Sequence, residues 1–141
     1  MILNRQTRAR VVLPSLEKFV RKVKRELRLD GREVSICLVS DAEMARLNKK
    51  YRKKSKPTDV LSFPSNDAAA FRRASAKSLG DLAIAPMVAR RNAKRFGRTL
   101  PDELRILILH GVLHLMGYDH ESDSGQMERR ERFLRRRLGL E

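Results

Sequence analysis

The sequence predicts an α+β domain, a small mixed β-sheet of about four strands packed with about five helices. Three observations lead there. Short runs rich in β-branched and apolar residues (Val11–Leu13, Val34–Val39, Val60–Phe63 and Leu79–Ala85) have strand length and composition. Between and after them lie longer stretches whose apolar residues recur at i, i+3 and i+4, the period of a helix buried on one face. The length of 141 residues fits a single domain, 1–141, which can bury about two-thirds of the surface its unfolded chain exposes. A hydrophobic fraction of 41% is enough for one core.

Each element has its own signals. Ile2 to Leu13 holds neither glycine nor proline, and Val11-Val12-Leu13 fits a first strand. Pro14-Ser15 opens a helix, since proline is tolerated in the first turn. Leu16, Phe19, Val20, Val23 and Leu27 form its apolar stripe, Lys18, Arg21, Lys22, Lys24 and Arg25 stay outside, and the helix ends before Asp30-Gly31. Val34–Val39 is a strand buried on at least one side. Ser40-x-x-Glu43 is a capping box for a helix with Met44 and Leu47 inward, ending near Asn48 to Tyr51. The charged Arg52-Lys-Lys-Ser-Lys56 is a solvated loop or a substrate-facing edge.

Val60–Phe63 is a short strand stopped by Pro64, whose missing amide donor suits a sheet edge. Asn66 to Ser78 reads as a loop or short irregular helix, and the strands on either side of it form a hairpin with a long connection. Pro86–Phe96 is a helix ended by Gly97, with Arg90, Arg91, Lys94 and Arg95 on a basic face. Thr99 caps the next helix, Pro101 sits in its first turn, and Asp102 and Glu103 lie near its positive end. Leu104, Leu107, Ile108 and Leu115 bury that helix. Ser122 to Ser124 starts a last helix running to about Leu138. In it Met127, Phe133, Leu134 and Leu138 pack, while Arg129, Arg130, Arg132, Arg135, Arg136 and Arg137 stay outside.

Net charge is the strongest compositional signal: 32 Lys and Arg against 17 Asp and Glu give +15. Such a balance favours a polyanion, because each neutralised phosphate releases counterions. The one cysteine, Cys37, excludes an internal disulfide and reads as a buried inert thiol. No apolar leader and no apolar run of about 18 residues is present, so the expectation is a cytoplasmic protein with no membrane contact.

All three histidines fall within eleven residues, at His110, His114 and His120. On a helix, the four-residue spacing stacks His110 and His114 on one face. Gly117 can take the left-handed conformation that ends a helix, and the chain can then turn to bring His120 to the same point. Three imidazoles with a fourth position left for water is the ligand count of a catalytic zinc site. A lone histidine beside an apolar run is usually a core or capping residue. Three of them grouped at one helix stop would leave ring nitrogens without partners, which is costly. Zinc peptidases place a glutamate directly after the first histidine as general base. Gly111 stands there, so peptide hydrolysis is disfavoured.

His110-Gly-x-Leu-His-Leu-x-Gly-Tyr-Asp-His120 resembles the signature of the YbeY family, bacterial metal-dependent endoribonucleases of ribosomal RNA maturation. Leu47-Asn-Lys-Lys-Tyr-Arg52 with Lys56-Pro-Thr-Asp-Val-Leu-Ser-Phe-Pro64 resembles that family's other hallmark, and Leu79–Ile84 and Met127-x3-Glu131 fit as well. The match runs in order from about residue 40 to 131. It departs at Lys53, where glycine is expected, and at Ser55, where aspartate is common.

The resemblance implies a zincin-like fold and one Zn2+ ion held by His110, His114 and His120. It makes Arg52 the non-metal catalytic residue beside His114, with its guanidinium suited to the charge that builds on phosphoryl oxygens. It further implies a single-strand-specific endoribonuclease of 16S rRNA 3′-end maturation and ribosome quality control. Single-stranded rRNA, the small ribosomal subunit, a ribosomal protein and an assembly GTPase become the expected partners.

Lys53, Lys54, Lys56, Arg90, Arg91 and Lys94 are candidates to hold the RNA strand. Asp119 can orient an imidazole or cap the turn, and Tyr118 can stack a base or bond locally. Thr58, Asp59 and Ser62 stand where strand ends would face the site, Asp59 more often serving to fix a turn. Two tyrosines, five phenylalanines and no tryptophan limit base stacking, so sequence readout should be weak. Two other classes compete: a non-catalytic ribosome-assembly factor with a structural zinc, and a hydrolase of small phosphoesters or amides.

Overall fold

A computed structural model describes residues 1–52, 58–65, 77–118 and 123–140. In chain order its elements are β1 (Ile2–Asn4), α1 (Leu13–Glu26), β2 (Glu33–Leu38), α2 (Asp41–Arg52), β3 (Val60–Pro64), β4 (Ser78–Ile84), α3 (Pro86–Arg95), α4 (Leu100–Leu115) and α5 (Gln126–Arg137). The strands form one sheet in the order β1-β2-β4-β3. β2 runs parallel to both β1 and β4, and β3 pairs antiparallel with β4 at the edge. The described residues thus form the mixed four-stranded sheet and five helices of the expected α+β class.

Alternation along the strands divides the core in two. One sheet face carries Val34, Ile36, Leu38, Leu82 and Ile84. It shares one buried cluster with Leu16, Phe19, Val20 and Val23 of α1, with Leu104, Ile108, Leu109, Val112 and Leu113 of α4, and with Met127 and Leu134 of α5. α4 lies on the sheet, and α1 and α5 pack against α4. The other face carries Cys37, Leu61, Phe63 and Ala83, covered by Met44 of α2. The Tyr51 ring meets Phe63 edge-on at 5.0 Å. Burial of Cys37 pushes its thiol pKa up, as suits an inert side chain.

Local signals account for most boundaries. The Glu43 amide donates to Ser40 Oγ at 3.1 Å and opens α2, while the Glu43 carboxylate turns to Arg5 at 3.1 Å. α2 continues to Arg52, beyond the expected end at Asn48 to Tyr51. Pro64 closes the edge strand β3. The expected irregular segment from Asn66 to Ser78 falls mostly outside the described residues; Ser78 itself begins β4.

Three expectations are corrected. The first strand is Ile2–Asn4, and Val11–Leu13 is not a strand. The Gln6 side-chain amide donates to Ala9 O and accepts from Ala9 N, both at 2.9 Å, which closes the chain into a turn. Val12 is then the extended residue before α1, with Pro14 in the first turn. Phe133 does not pack: it is 45% exposed, because it stands about 100° round α5 from buried Leu134. Arg135 does not stay outside; its side chain is only 18% exposed and bonds within the fold.

Candidate metal centre

The helix that carries the first two histidines is anchored along its length. Thr99 Oγ1 accepts from the Asp102 amide at 3.3 Å and caps α4. Glu103 is buried against Arg98, with N···O 3.1 Å. Gly111 lets the helix lie close on the sheet: a Cβ there would come within 2.7 Å and 2.9 Å of the two methyls of Leu82, itself fully buried. The position that zinc peptidases fill with glutamate therefore has no room for a side chain. On the same turn, Ser62 Oγ of β3 donates to Gly111 O at 3.4 Å, drawing the edge strand alongside the histidines.

One turn later α4 stops. Gly117 has φ +99°, its amide donates to His114 O at 3.0 Å, and the Tyr118 amide reaches back to Leu113 O at 3.1 Å. This is a Schellman ending, which needs a left-handed residue at that position. Tyr118 packs half-buried against the main core. Asp119 and His120 follow immediately and lie outside the described residues.

His110 and His114 present Nε2 to Nε2 at 3.1 Å, with ring centroids 4.7 Å apart at 70°. Nitrogens each about 2.0–2.1 Å from one tetrahedral ion stand about 3.3–3.4 Å apart, so the pair lies within a few tenths of an ångström of the spacing two zinc ligands need. A carboxylate assigns the tautomer: His110 Nδ1 lies 2.6 Å from Glu131 Oε1. A donated Nδ1 proton leaves Nε2 as the lone-pair donor facing His114. Glu131 is held in turn by Arg135, which donates to Oε2 at 2.7 Å. Burial pushes the Glu131 carboxyl up, but the hydrogen bond and charge of His110, together with Arg135, outweigh it and hold the group below its ordinary range. The His110 side chain remains 31% exposed, so the site opens to solvent.

A single divalent ion fits this donor set. Among the described residues no group of three His, Cys, Asp or Glu side chains converges, since the expected third ligand, His120, is not one of them.

Glu131 and Arg135 are the residues the sequence reading missed. Glu131 entered it only as part of the Met127-x3-Glu131 ending, and its spacing to Arg135 resembles an ordinary surface pair at i, i+4. The other candidates are distributed differently. Arg52 is the last residue of α2, and its side chain lies outside the described residues, as do Lys53, Lys54 and Lys56. Arg90 and Lys94 are exposed on α3, whereas Arg91 pairs with Asp41 at 3.0 Å. Asp59 accepts from Asn92 Nδ2 at 3.2 Å, a tertiary bond that ties α3 to the start of β3. α5 starts from Asp123, whose two carboxylate oxygens accept from the Gly125 and Met127 amides at 2.9 Å.

The family model described as "Endoribonuclease YbeY" matches residues 1–139. The chain belongs to the YbeY family. The "Endoribonuclease YbeY" of Solibacter usitatus is 46% identical over 127 residues, covering 90% of this chain and 80% of its own length. That of Aquifex aeolicus is 39% identical over 133 residues, covering 94% and 85%. A Thermotoga maritima protein solved in solution shares the fold, with a TM-score of 0.64, 27% identity and coverage of 98% of this chain and 89% of that one. The span matched by the family model includes both the histidine-bearing helix and α5. Among the described residues no helix is long and apolar enough to cross a membrane.

Proposed function

We propose that the chain is a zinc-dependent endoribonuclease that prefers single strands and acts in 3′-end maturation and quality control of small-subunit ribosomal RNA. The observation that carries this reading is the His110–His114 Nε2 pair, oriented by Glu131 in a chain of the YbeY family. His110, His114 and His120 would hold the ion. A zinc ion in such a site supplies Lewis acidity toward a phosphoryl oxygen and toward water.

The chain's own residues have separate tasks. Glu131 fixes the His110 ring and its proton on Nδ1. Arg52, at the end of α2, offers a guanidinium to the charge developing on the phosphoryl oxygens. Lys53, Lys54, Lys56, Arg90 and Lys94 hold the phosphate backbone. Arg91 contributes less, because Asp41 already neutralises it. A flexible strand can bend its phosphate to a site at a helix end, whereas a stiff duplex cannot. Work on the small subunit, with a ribosomal protein and an assembly GTPase as partners, belongs to the same reading, as does a cytoplasmic location.

A non-catalytic assembly factor with a structural zinc is the second reading. The 31% exposure of His110 favours the enzyme, because structural zinc sites are closed. A labelled single-stranded RNA with and without chelator separates the two. The enzyme predicts metal-dependent cleavage, abolished in His114→Ala with binding retained and lowered about 10²–10³-fold in Arg52→Ala. Tight binding with no metal-dependent cleavage supports the assembly factor. Turnover of small phosphoesters or amides with RNA inert would point to a hydrolase of another class.

A further inference from the structure

The outer face of α5 combines two features that the metal site does not use. The first is a set of arginines whose charge the fold leaves available. On a helical wheel Met127, Leu134 and Leu138 form the buried stripe, and Glu131 and Arg135 flank it on the side of His110. Continuing round from that edge come Glu128 and Arg132, then Arg136 and Arg129, then Phe133, and last Arg137 and Arg130 beside α1. Arg132 pairs with Glu128 at 2.7 Å and Arg137 with Glu26 at 3.0 Å. Arg129 donates only to a backbone carbonyl, Ser124 O, at 3.2 Å. Among the described residues no carboxylate pairs with Arg129, Arg130 or Arg136.

The second feature is Phe133, 45% exposed in the middle of this face. The Arg130 guanidinium lies 5.8 Å from its ring centroid. A solvated basic face explains the arginines alone, but it gives no reason for a large aromatic ring among them. Among the described residues, Arg130 and Arg137 share the charge of Glu26, which leaves Arg129 and Arg136 as the free guanidiniums beside the ring. An aromatic ring next to such guanidiniums is the arrangement that takes a base on the ring and phosphates on the arginines.

We infer that this face of α5 is an accessory binding track for single-stranded RNA, with Phe133 stacking a base and Arg129 and Arg136 holding the adjoining phosphates. The track starts one helix edge from Glu131, so a strand lying on it continues toward the histidine pair. This inference rests on the reading of the chain as an RNA-cleaving enzyme. It adds a contact region on an element other than α3.

The test measures equilibrium binding of a labelled single-stranded RNA of about 12 nucleotides to the full chain, across a salt series, by fluorescence anisotropy. Phe133→Ala should weaken binding about tenfold with the salt dependence unchanged, and Phe133→Trp should restore it. Arg129→Ala with Arg136→Ala should weaken binding and lower the salt slope by about 1.4, at about 0.7 per phosphate lost. Cleavage of an oligonucleotide too short to reach α5 should stay at the wild-type rate in all three variants. All of these residues are on the surface, and a thermal melt confirms that each variant is folded.

If the wild type binds the RNA and the variants bind it equally well, the track is wrong while the nuclease reading survives. If the variants lose affinity for anionic lipid vesicles but not for RNA, the face serves a different partner and the inference fails. If the wild type binds no RNA at all, the functional reading fails and this inference with it.

Discussion

Glu131 accepts one hydrogen bond from the histidine that faces the centre and another from Arg135, 2.6 Å and 2.7 Å long. Outer partners of this kind orient metal-binding histidines, and their loss typically costs about 10–100-fold in affinity. Glu131→Gln keeps an acceptor for Nδ1–H but loses the charge, so zinc affinity should fall about tenfold. Glu131→Ala loses both, and affinity should fall about a hundredfold. Competition with a fluorescent zinc chelator measures each, and unchanged affinity in Glu131→Ala would remove Glu131 from the site. The two imidazoles were legible in the sequence because their alignment follows from spacing within one helix. Glu131 was not, because its contact joins residues 21 apart on two helices and only tertiary packing brings them together.

At the level of elements, α4 depends on how closely it approaches the sheet. A Cβ at Gly111 meets both methyls of Leu82 below 3.0 Å, and Leu82 has no exposed surface into which to move. Gly111→Ala should therefore cost about 1–3 kcal/mol of stability as an overpacked core does, read from urea unfolding. Combined with Leu82→Ala, the loss should be smaller than the sum of the two single losses, because they share one space. A loss equal to the sum would mean that the helix does not bear on Leu82. Helix starts and stops were well signalled, by Ser40, Thr99, Pro14 and Gly117, since capping is local chemistry. Val11–Leu13 misled because β-branched composition resembles a strand, while the turn that Gln6 makes with Ala9 depends on a side chain folding back on its own backbone. Phe133 misled because an apolar residue next to a buried stripe was read as part of it.

For the molecule as a whole, the excess of 32 cationic over 17 anionic side chains governs long-range behaviour. Affinity for single-stranded RNA should fall by about a hundredfold between about 50 and 200 mM salt if roughly five phosphates are contacted, and a salt titration by anisotropy measures this. A salt-insensitive affinity would mean that the charge serves solubility alone. The fold class was legible from periodicity, but the order β1-β2-β4-β3 was not. That order depends on which strands β2 pairs with in parallel through helical crossovers, and composition does not encode such a choice. The position of α5 against the histidines was hidden for the same reason.

The central claim is that His110 and His114 share an ion, and calorimetric titration of the metal-free chain with zinc tests it most directly. The account predicts one tight zinc per wild-type chain, and a loss in His110→Ala or His114→Ala well beyond the about 10–100-fold expected of an outer partner. A double variant, His110→Ala with His114→Ala, that still binds one zinc at wild-type affinity would contradict it.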